Sequence, residues 1–215
     1  MRLGPSPHVL GHYAETPLNR ELNGKHLASA PATRQNPRTM LSTDRLLIEP
    51  LDHEHAAGLV TALSDNSVGA YLGGPAVTTV DALHAWIDQL TLGPSAEMAE
   101  DHWWNWAVRR SRDGLILGYI QATGYTDWAE VAYVFGPATR GRGYATEAVR
   151  WLIAHLADGG RSELWAAVHH DNAASIRLIT RVGFNQVATA TRQLASFDEG
   201  DLLFQLRVTG AVRAE

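Results

Sequence analysis

The sequence predicts a mixed α/β domain, with a mostly antiparallel central sheet of about six or seven strands and helices on both faces. Three observations carry this. Asp113-Gly114 joins two apolar runs and marks a hairpin early in the chain. After it, strand and helix patterns alternate in the order β-α-β-α-β-β. Hydrophobic residues make up 45% of the 215 residues and charged residues 19%, which is enough apolar surface to bury a core.

Each element has its own local cause. The first strand is expected at 45–51 (RLLIEPL), closed by Pro50. Asp52 can cap a helix in which Ala56, Leu59, Val60 and Leu63 share a face. Thr78 or Thr79 can cap a second helix, with Leu83, Trp86, Ile87 and Leu90 on one side. Strands at 103–109 and 115–121 flank the hairpin turn. A β-branched and aromatic run at 129–135 ends at Gly136-Pro137. A helix at 145–157 keeps Ala148, Val149, Leu152, Ile153 and Leu156 together. A strand at 162–168 and a helix at 173–182 follow, with Gly183 as its left-handed stop. Strands at about 186–192 and 202–208 finish the sheet. No internal repeat is visible.

The chain divides into a flexible extension at 1–39, a folded domain at 40–210 and a short tail at 211–215. Five of the nine prolines lie before Met40, with a local charge of about +3, so the remainder carries about −8. Such a segment cannot bury enough surface to offset its chain entropy. There are no cysteines, which excludes disulfides, thiolate catalysis and cysteine-ligated metal and suits a reducing compartment. No metal is expected. No run reaches the roughly 18 apolar residues of a membrane helix, and the first residues lack a secretory pattern. The net charge of −5 argues against nucleic-acid binding by bulk attraction. The expectation is a cytoplasmic protein with neither membrane nor nucleic acid as partner.

The most informative run is Arg140-Gly141-Arg142-Gly143-Tyr144-Ala145, between a strand and a helix. Glycine there lets main-chain amides face a ligand at dihedrals other residues avoid. The first amides of a helix have no internal partner and sit at its positive end. Such a junction suits phosphate, and the two arginines add bidentate donors. Competing motifs fail. A P-loop requires Gly-Lys-Ser/Thr, and a dinucleotide fingerprint a third glycine where Thr146 stands.

This run resembles the Arg/Gln-x-x-Gly-x-Gly/Ala acyl-CoA signature of the GNAT superfamily of N-acetyltransferases. Thr146-Glu147-Ala148 is similar to the continuation in its ribosomal-protein acetyltransferase branch. The resemblance covers about 41–208. It implies acetyl-CoA as co-substrate, with its pyrophosphate on the amides of 140–145. It also implies a sheet splayed at the acyl-CoA site, where the pantetheine adds to the open edge like a strand. Here that edge would be Tyr133, Val134 and Phe135, with a main-chain amide near Val134 as oxyanion donor. Dimers are common in the family, so a homodimer is a further expectation.

A second motif lies about 30 residues on, at Asn172-Ala173-Ala174-Ser175, followed by Gly183-Phe184. By itself Asn172 reads as an N-cap. Asn172 and Ser175 share a helical face and can point at one ligand. The family's Asn-x-x-Ser helix places the Asn on the pantetheine arm and the Ser near the CoA sulfur. Many members carry a tyrosine seven residues after the Asn as general acid, and here that position is Ile179. Ser175 is then the best-placed donor by sequence, with Tyr144 and Tyr133 as substitutes.

Amine attack on a thioester benefits from positioning, an oxyanion donor and removal of the amine proton. Glu130, on the cofactor-edge strand, is the first candidate base, against the plainer reading of a solvated strand residue. His169 and His170 could relay a proton through water or be surface residues. An α-amine, with a pKa near about 8, can dispense with a base. Trp103, Trp104 and Trp106 are explained by core alone, or with Trp86, Trp128 and Tyr71 as an aromatic acceptor wall. The acidic residues Glu97, Glu100, Asp101, Asp127, Asp198, Glu199 and Asp201 would attract a cationic amine or be ordinary solvated surface. The expected acceptor is a protein or peptide N-terminal α-amine. The alternatives are a small amine (antibiotic, amino acid or polyamine) and a non-catalytic acyl-CoA sensor.

Overall fold

The computed structural model describes residues 41–71, 79–93 and 102–208. The expected extension, the tail, Thr78, Glu97, Glu100 and Asp101 lie outside the described residues. Eight strands form one sheet in the order β1-β2-β3-β4-β5-β6-β8-β7. They are β1 Leu41–Ser42, β2 Leu46–Pro50, β3 His102–Arg110, β4 Ile116–Gly124, β5 Trp128–Phe135, β6 Glu163–Val168, β7 Asn185–Val187 and β8 Leu202–Arg207. All pairings are antiparallel except β5 with β6. Five helices accompany them: α1 Ala56–Leu63, α2 Asn66–Gly69, α3 Val80–Leu92, α4 Tyr144–Asp158 and α5 Ala173–Arg181.

The helices start where the sequence places caps. Asp52 accepts from the Glu54 amide at 2.9 Å in the turn leading into α1, and Thr79 accepts from the Ala82 amide at 3.2 Å at the start of α3. Helices α1 and α3 cover one face of the sheet, burying Leu59, Leu63, Leu83 and Trp86 against Ala107, Tyr119 and Val134. Helix α4 covers the other face with Ala148, Leu152 and Leu156 against Trp106, Ile120 and Val131, joined there by Ile179 of α5. Each fully buried Leu or Ile contributes about 1.5–3 kcal/mol of transfer free energy, so the two cores fix which face each helix takes.

Two expectations require correction. The sheet has eight strands rather than six or seven, because the two-residue β1 adds an edge to β2. The strand expected at 186–192 is only Asn185–Val187, and the chain from 188 to 201 is irregular. Its backbone bonds go elsewhere. Further along, the amides of Ala195 and Ser196 donate to the carboxylate of Glu130 at 2.7 and 2.9 Å, so a side chain rather than a strand partner satisfies them.

Candidate active site

Strands β5 and β6 pair over three positions only: Trp128 with Glu163, Ala129 with Leu164 and Glu130 with Trp165. Beyond them β5 continues to Phe135 bonded to β4 alone, and β6 continues to Val168 bonded to β8 alone. The sheet therefore opens as a V whose vertex is the Glu130–Trp165 pair. The facing edges at 131–135 and 166–168 carry backbone groups with no strand between them. Unpaired strand edges are where an extended ligand can add hydrogen bonds. A groove of about 360 Å³ occupies the opening, and Ala132, Tyr133, Val134, Val168 and Ser175 are among its walls.

Tyr133 and Ser175 meet in that groove. Their hydroxyl oxygens are 2.7 Å apart, and the Tyr133 hydroxyl also donates to the Ser175 carbonyl at 3.3 Å. Burial pushes the Tyr133 hydroxyl up to about 12, so it stays a proton donor. Ile179, at the family's tyrosine position, is fully buried in the core, so no acid stands on that turn of α5. Tyr144 lies elsewhere, under the guanidinium of Arg45 at 4.7 Å and buried in the α4 core. Of the two substitute tyrosines, only Tyr133 reaches Ser175.

The expected role of Asn172 as an N-cap is realised. Its Oδ1 accepts from the Ser175 amide at 3.0 Å and opens α5. That bond leaves the two amide N–H groups of Asn172 uncommitted to it, and it fixes the backbone of Ser175 beside Tyr133.

At the start of α4, Gly141 and Gly143 have φ of 70° and 75°, the left-handed region that favours glycine. Gly143 is the N-cap and no side chain caps the helix. The first amides of a 15-residue helix are thus presented bare at its positive end. Ala145 stands in that first turn. Arg140 donates to the Ser67 hydroxyl at 2.7 Å, tying the turn to α2, and Arg142 is exposed. A clamp missed in the sequence holds the turn from below. Arg45 donates to Glu147 at 2.7 Å and to the Arg142 carbonyl at 3.0 Å, and Thr43 donates to Glu147 at 2.5 Å. Burial pushes the Glu147 carboxyl up, but the bonds from Thr43 and Arg45 together hold it below its ordinary value.

Glu130 is not a solvated strand residue. It is 4% exposed and receives the Ala195 and Ser196 amides and the Ser196 hydroxyl. Burial raises its carboxyl above the ordinary value, against the lowering effect of those three donors. Ser196, whose hydroxyl is bound to Glu130, is among the residues that line the groove. Ser196 was not legible in the sequence, because the 188–201 segment has neither period nor motif.

The aromatic wall is largely core. Trp86 and Trp106 are buried, Trp104 packs on the α4 core under Arg161 at 4.8 Å, and Trp128 stacks on Tyr125 at 3.9 Å. Tyr71 does line the groove, 5.3 Å from the ring of His169. His169 is at the groove wall too, and its Nδ1 accepts the Asp171 amide at 3.1 Å. His170 faces the Gly200 carbonyl at 3.2 Å. Among the described residues, no helix is long and apolar enough to cross a membrane.

Comparison with known proteins agrees with this fold. Residues 45–185 match the model of the acetyltransferase (GNAT) domain. The chain is 24% identical over 151 residues to the uncharacterized N-acetyltransferase YoaA of Bacillus subtilis (strain 168), covering 68% of this chain and 83% of that one. A GCN5-related N-acetyltransferase from Brucella melitensis superposes with a TM-score of 0.64 at 19% identity, over 81% of this chain and 80% of the other. A Vibrio cholerae structure, provisionally described as a ribosomal-protein-serine acetyltransferase, gives 0.63 at 18% identity, over 81% of this chain and 100% of its own. Those structural likenesses speak for the fold, while the domain match spans well over half of the chain. The chain belongs to the GNAT family of acetyltransferases and is an acyltransferase whose implied co-substrate is acetyl-CoA.

Proposed function

We propose that the chain moves an acetyl group from acetyl-CoA to the N-terminal α-amine of a protein or peptide by direct attack within a ternary complex. The observation that carries this is the V between β5 and β6 with the Tyr133–Ser175 hydroxyl pair set in its wall. Acetyl-CoA supplies an activated acetyl group as a thioester. The open edge at Tyr133, Val134 and Phe135 would hold its pantetheine, and Asn172 would bind the same arm. Arg140, Gly141, Arg142, Gly143, Tyr144 and Ala145 would hold its phosphates at the uncapped start of α4.

In the reaction a C–N bond forms, the C–S bond breaks and the amine loses a proton. Ser175 donates its proton to the departing sulfur, Tyr133 restores it across the 2.7 Å contact, and water in the emptied groove returns a proton to Tyr133. Glu130 is the base acting through Ser196: the hydroxyl at the groove wall passes the amine proton to the buried carboxylate behind it. The peptide acceptor is supported by Thr146-Glu147-Ala148 and by the likeness to the Vibrio cholerae protein. A small-amine acceptor is the second reading, favoured by a groove of only about 360 Å³, at the low end for ligand sites.

The test is CoA release, followed as free thiol, with a panel of α-amine peptides, amino acids and polyamines. Release well above hydrolysis with peptides is the expected result. Tight acetyl-CoA binding without release for any acceptor would leave a sensor and overturn the proposal.

A further inference from the structure

The sheet face covered by α1 and α3 changes character at the groove. Ala107, Tyr119 and Val134 form one cross-strand row of β3, β4 and β5 and are buried under those helices. Two residues along on the same face, the row is Asn105, Gln121 and Ala132, again directly paired. An apolar row thus gives way to an amide pair where the groove begins. Gln121 is 4% exposed and lines the groove. Its Nε2 donates to Asn105 Oδ1 at 2.5 Å, while its Oε1 has no hydrogen-bond partner among the described residues. A buried carbonyl oxygen is rarely kept without a donor, so one on a side chain that lines a groove is a place for a ligand N–H.

The 198–201 turn adds acid to the same groove. Asp198, Glu199 and Asp201 line it, and the Asp198 amide donates to Asp201 at 3.2 Å. Burial raises the Asp201 carboxyl and the neighbouring Asp198 charge raises it further, while His169 and His170 act in the opposite direction. Neither Glu199 nor Asp201 is ion-paired with an arginine or lysine among the described residues. Three carboxylates set against two imidazoles make this wall complementary to a cation.

We infer that the preferred acceptor is a peptide whose first two residues include an arginine or lysine. Gln121 Oε1 accepts an N–H of its amino-terminal backbone, and Asp198, Glu199 and Asp201 receive its guanidinium or ammonium. This rests on the N-acetyltransferase reading above and names its substrate class. Amide and acidic wall divide the work. Gln121 places the amine end beside the open edge of β5, to which its strand is directly paired, and the carboxylates select the side chain that follows.

The experiment compares two peptides that differ only at the second residue, arginine in one and its neutral isostere citrulline in the other. CoA release is measured at low and at moderate ionic strength. The arginine peptide should have a kcat/KM roughly tenfold higher, and the ratio should shrink as salt screens the wall. In the triple variant Asp198→Asn, Glu199→Gln, Asp201→Asn the ratio should approach one, with Tm checked to show that the chain is folded. Gln121→Leu should raise KM several-fold for both peptides and leave acetyl-CoA affinity as it was. Equal rates on the two peptides, or a preference that survives the triple variant, would overturn the inference. So would spermidine outpacing the arginine peptide tenfold, which would assign the cation to a polyamine. No CoA release with either peptide, with acetyl-CoA still bound, would instead sink the acetyl-transfer reading beneath it.

Discussion

The two flanks of the groove are held in place by different means. On the flank of β5 and α4, regular elements do the positioning: an eight-residue strand, a 15-residue helix and a glycine turn between them, pinned by Arg45 and Glu147. On the flank from 188 to 201 there is no regular element, and one buried carboxylate, Glu130, holds the chain through Ala195 and Ser196. The first flank is specified by local pattern and by core burial. The second is specified by a contact across 65 residues of sequence. In the function proposed above, the first flank would hold the co-substrate and the second would help select the acceptor.

The largest expected effect breaks the first flank alone. Gly143→Asp should raise the Kd of acetyl-CoA by about 100-fold, some 3 kcal/mol, through lost backbone approach and repulsion of phosphate. The fold should survive, since Asp tolerates left-handed dihedrals better than most residues and a Cβ there meets Arg45 Nη2 at 3.5 Å, an ordinary contact. Calorimetric titration decides it, and unchanged affinity removes the phosphate site from this turn.

The next effect tests chemistry rather than binding. Tyr133→Phe should lower kcat by roughly 100-fold with acetyl-CoA affinity within about twofold, the size expected of a lost general acid. Adding Ser175→Ala should cost little more, because the two hydroxyls act as one unit. Additive losses would separate them. Since Tyr133 stays protonated up to about 12, its donor role should impose no fall in kcat between pH 7 and 10.

The smallest effect, read on stability rather than on rate because Glu130 is also the proposed base, sharpens the comparison on the second flank. Glu130→Gln leaves one donor of the 195–196 segment without an acceptor and should lower stability by about 1–3 kcal/mol. The sign of its pH dependence follows from burial. A carboxyl raised in the folded state favours folding below its unfolded value, and that contribution is lost as pH rises through its folded value. In the variant this falling limb should vanish from a plot of Tm against pH, while the α4 flank keeps its acetyl-CoA affinity. A loss of acetyl-CoA affinity in step with stability would show that the two flanks are not independent.

Much of the fold, the first flank included, was legible in the sequence. The apolar periods of α1, α3 and α4, the caps at Asp52 and Thr79 and the hairpin at Asp113-Gly114 are short-range signals, and each element formed within a few residues of its expected place. The glycine turn and Asn172 were legible for the same reason. What escaped depends on register. That Tyr133 rather than Tyr144 meets Ser175 follows from a 42-residue separation closed by the sheet. Gln121 and Ser196 have no motif around them, and the strand expected at 186–192 stops at Val187, ahead of the irregular segment whose Ala195 and Ser196 amides bond to Glu130. The tryptophans misled in the opposite direction. Aromatic bulk in a strand signals burial more strongly than it signals a pocket.

The V between β5 and β6 has a thermodynamic consequence. A sheet that stops pairing after three positions is missing a strand's worth of backbone bonds, and a ligand that occupies the gap completes it. Folding and co-substrate concentration are then linked by mass action, so saturation at about 100 times Kd adds about 2.7 kcal/mol to stability. If the opening admits acetyl-CoA as proposed, the durability of the fold becomes a readout of how much acetyl-CoA surrounds it.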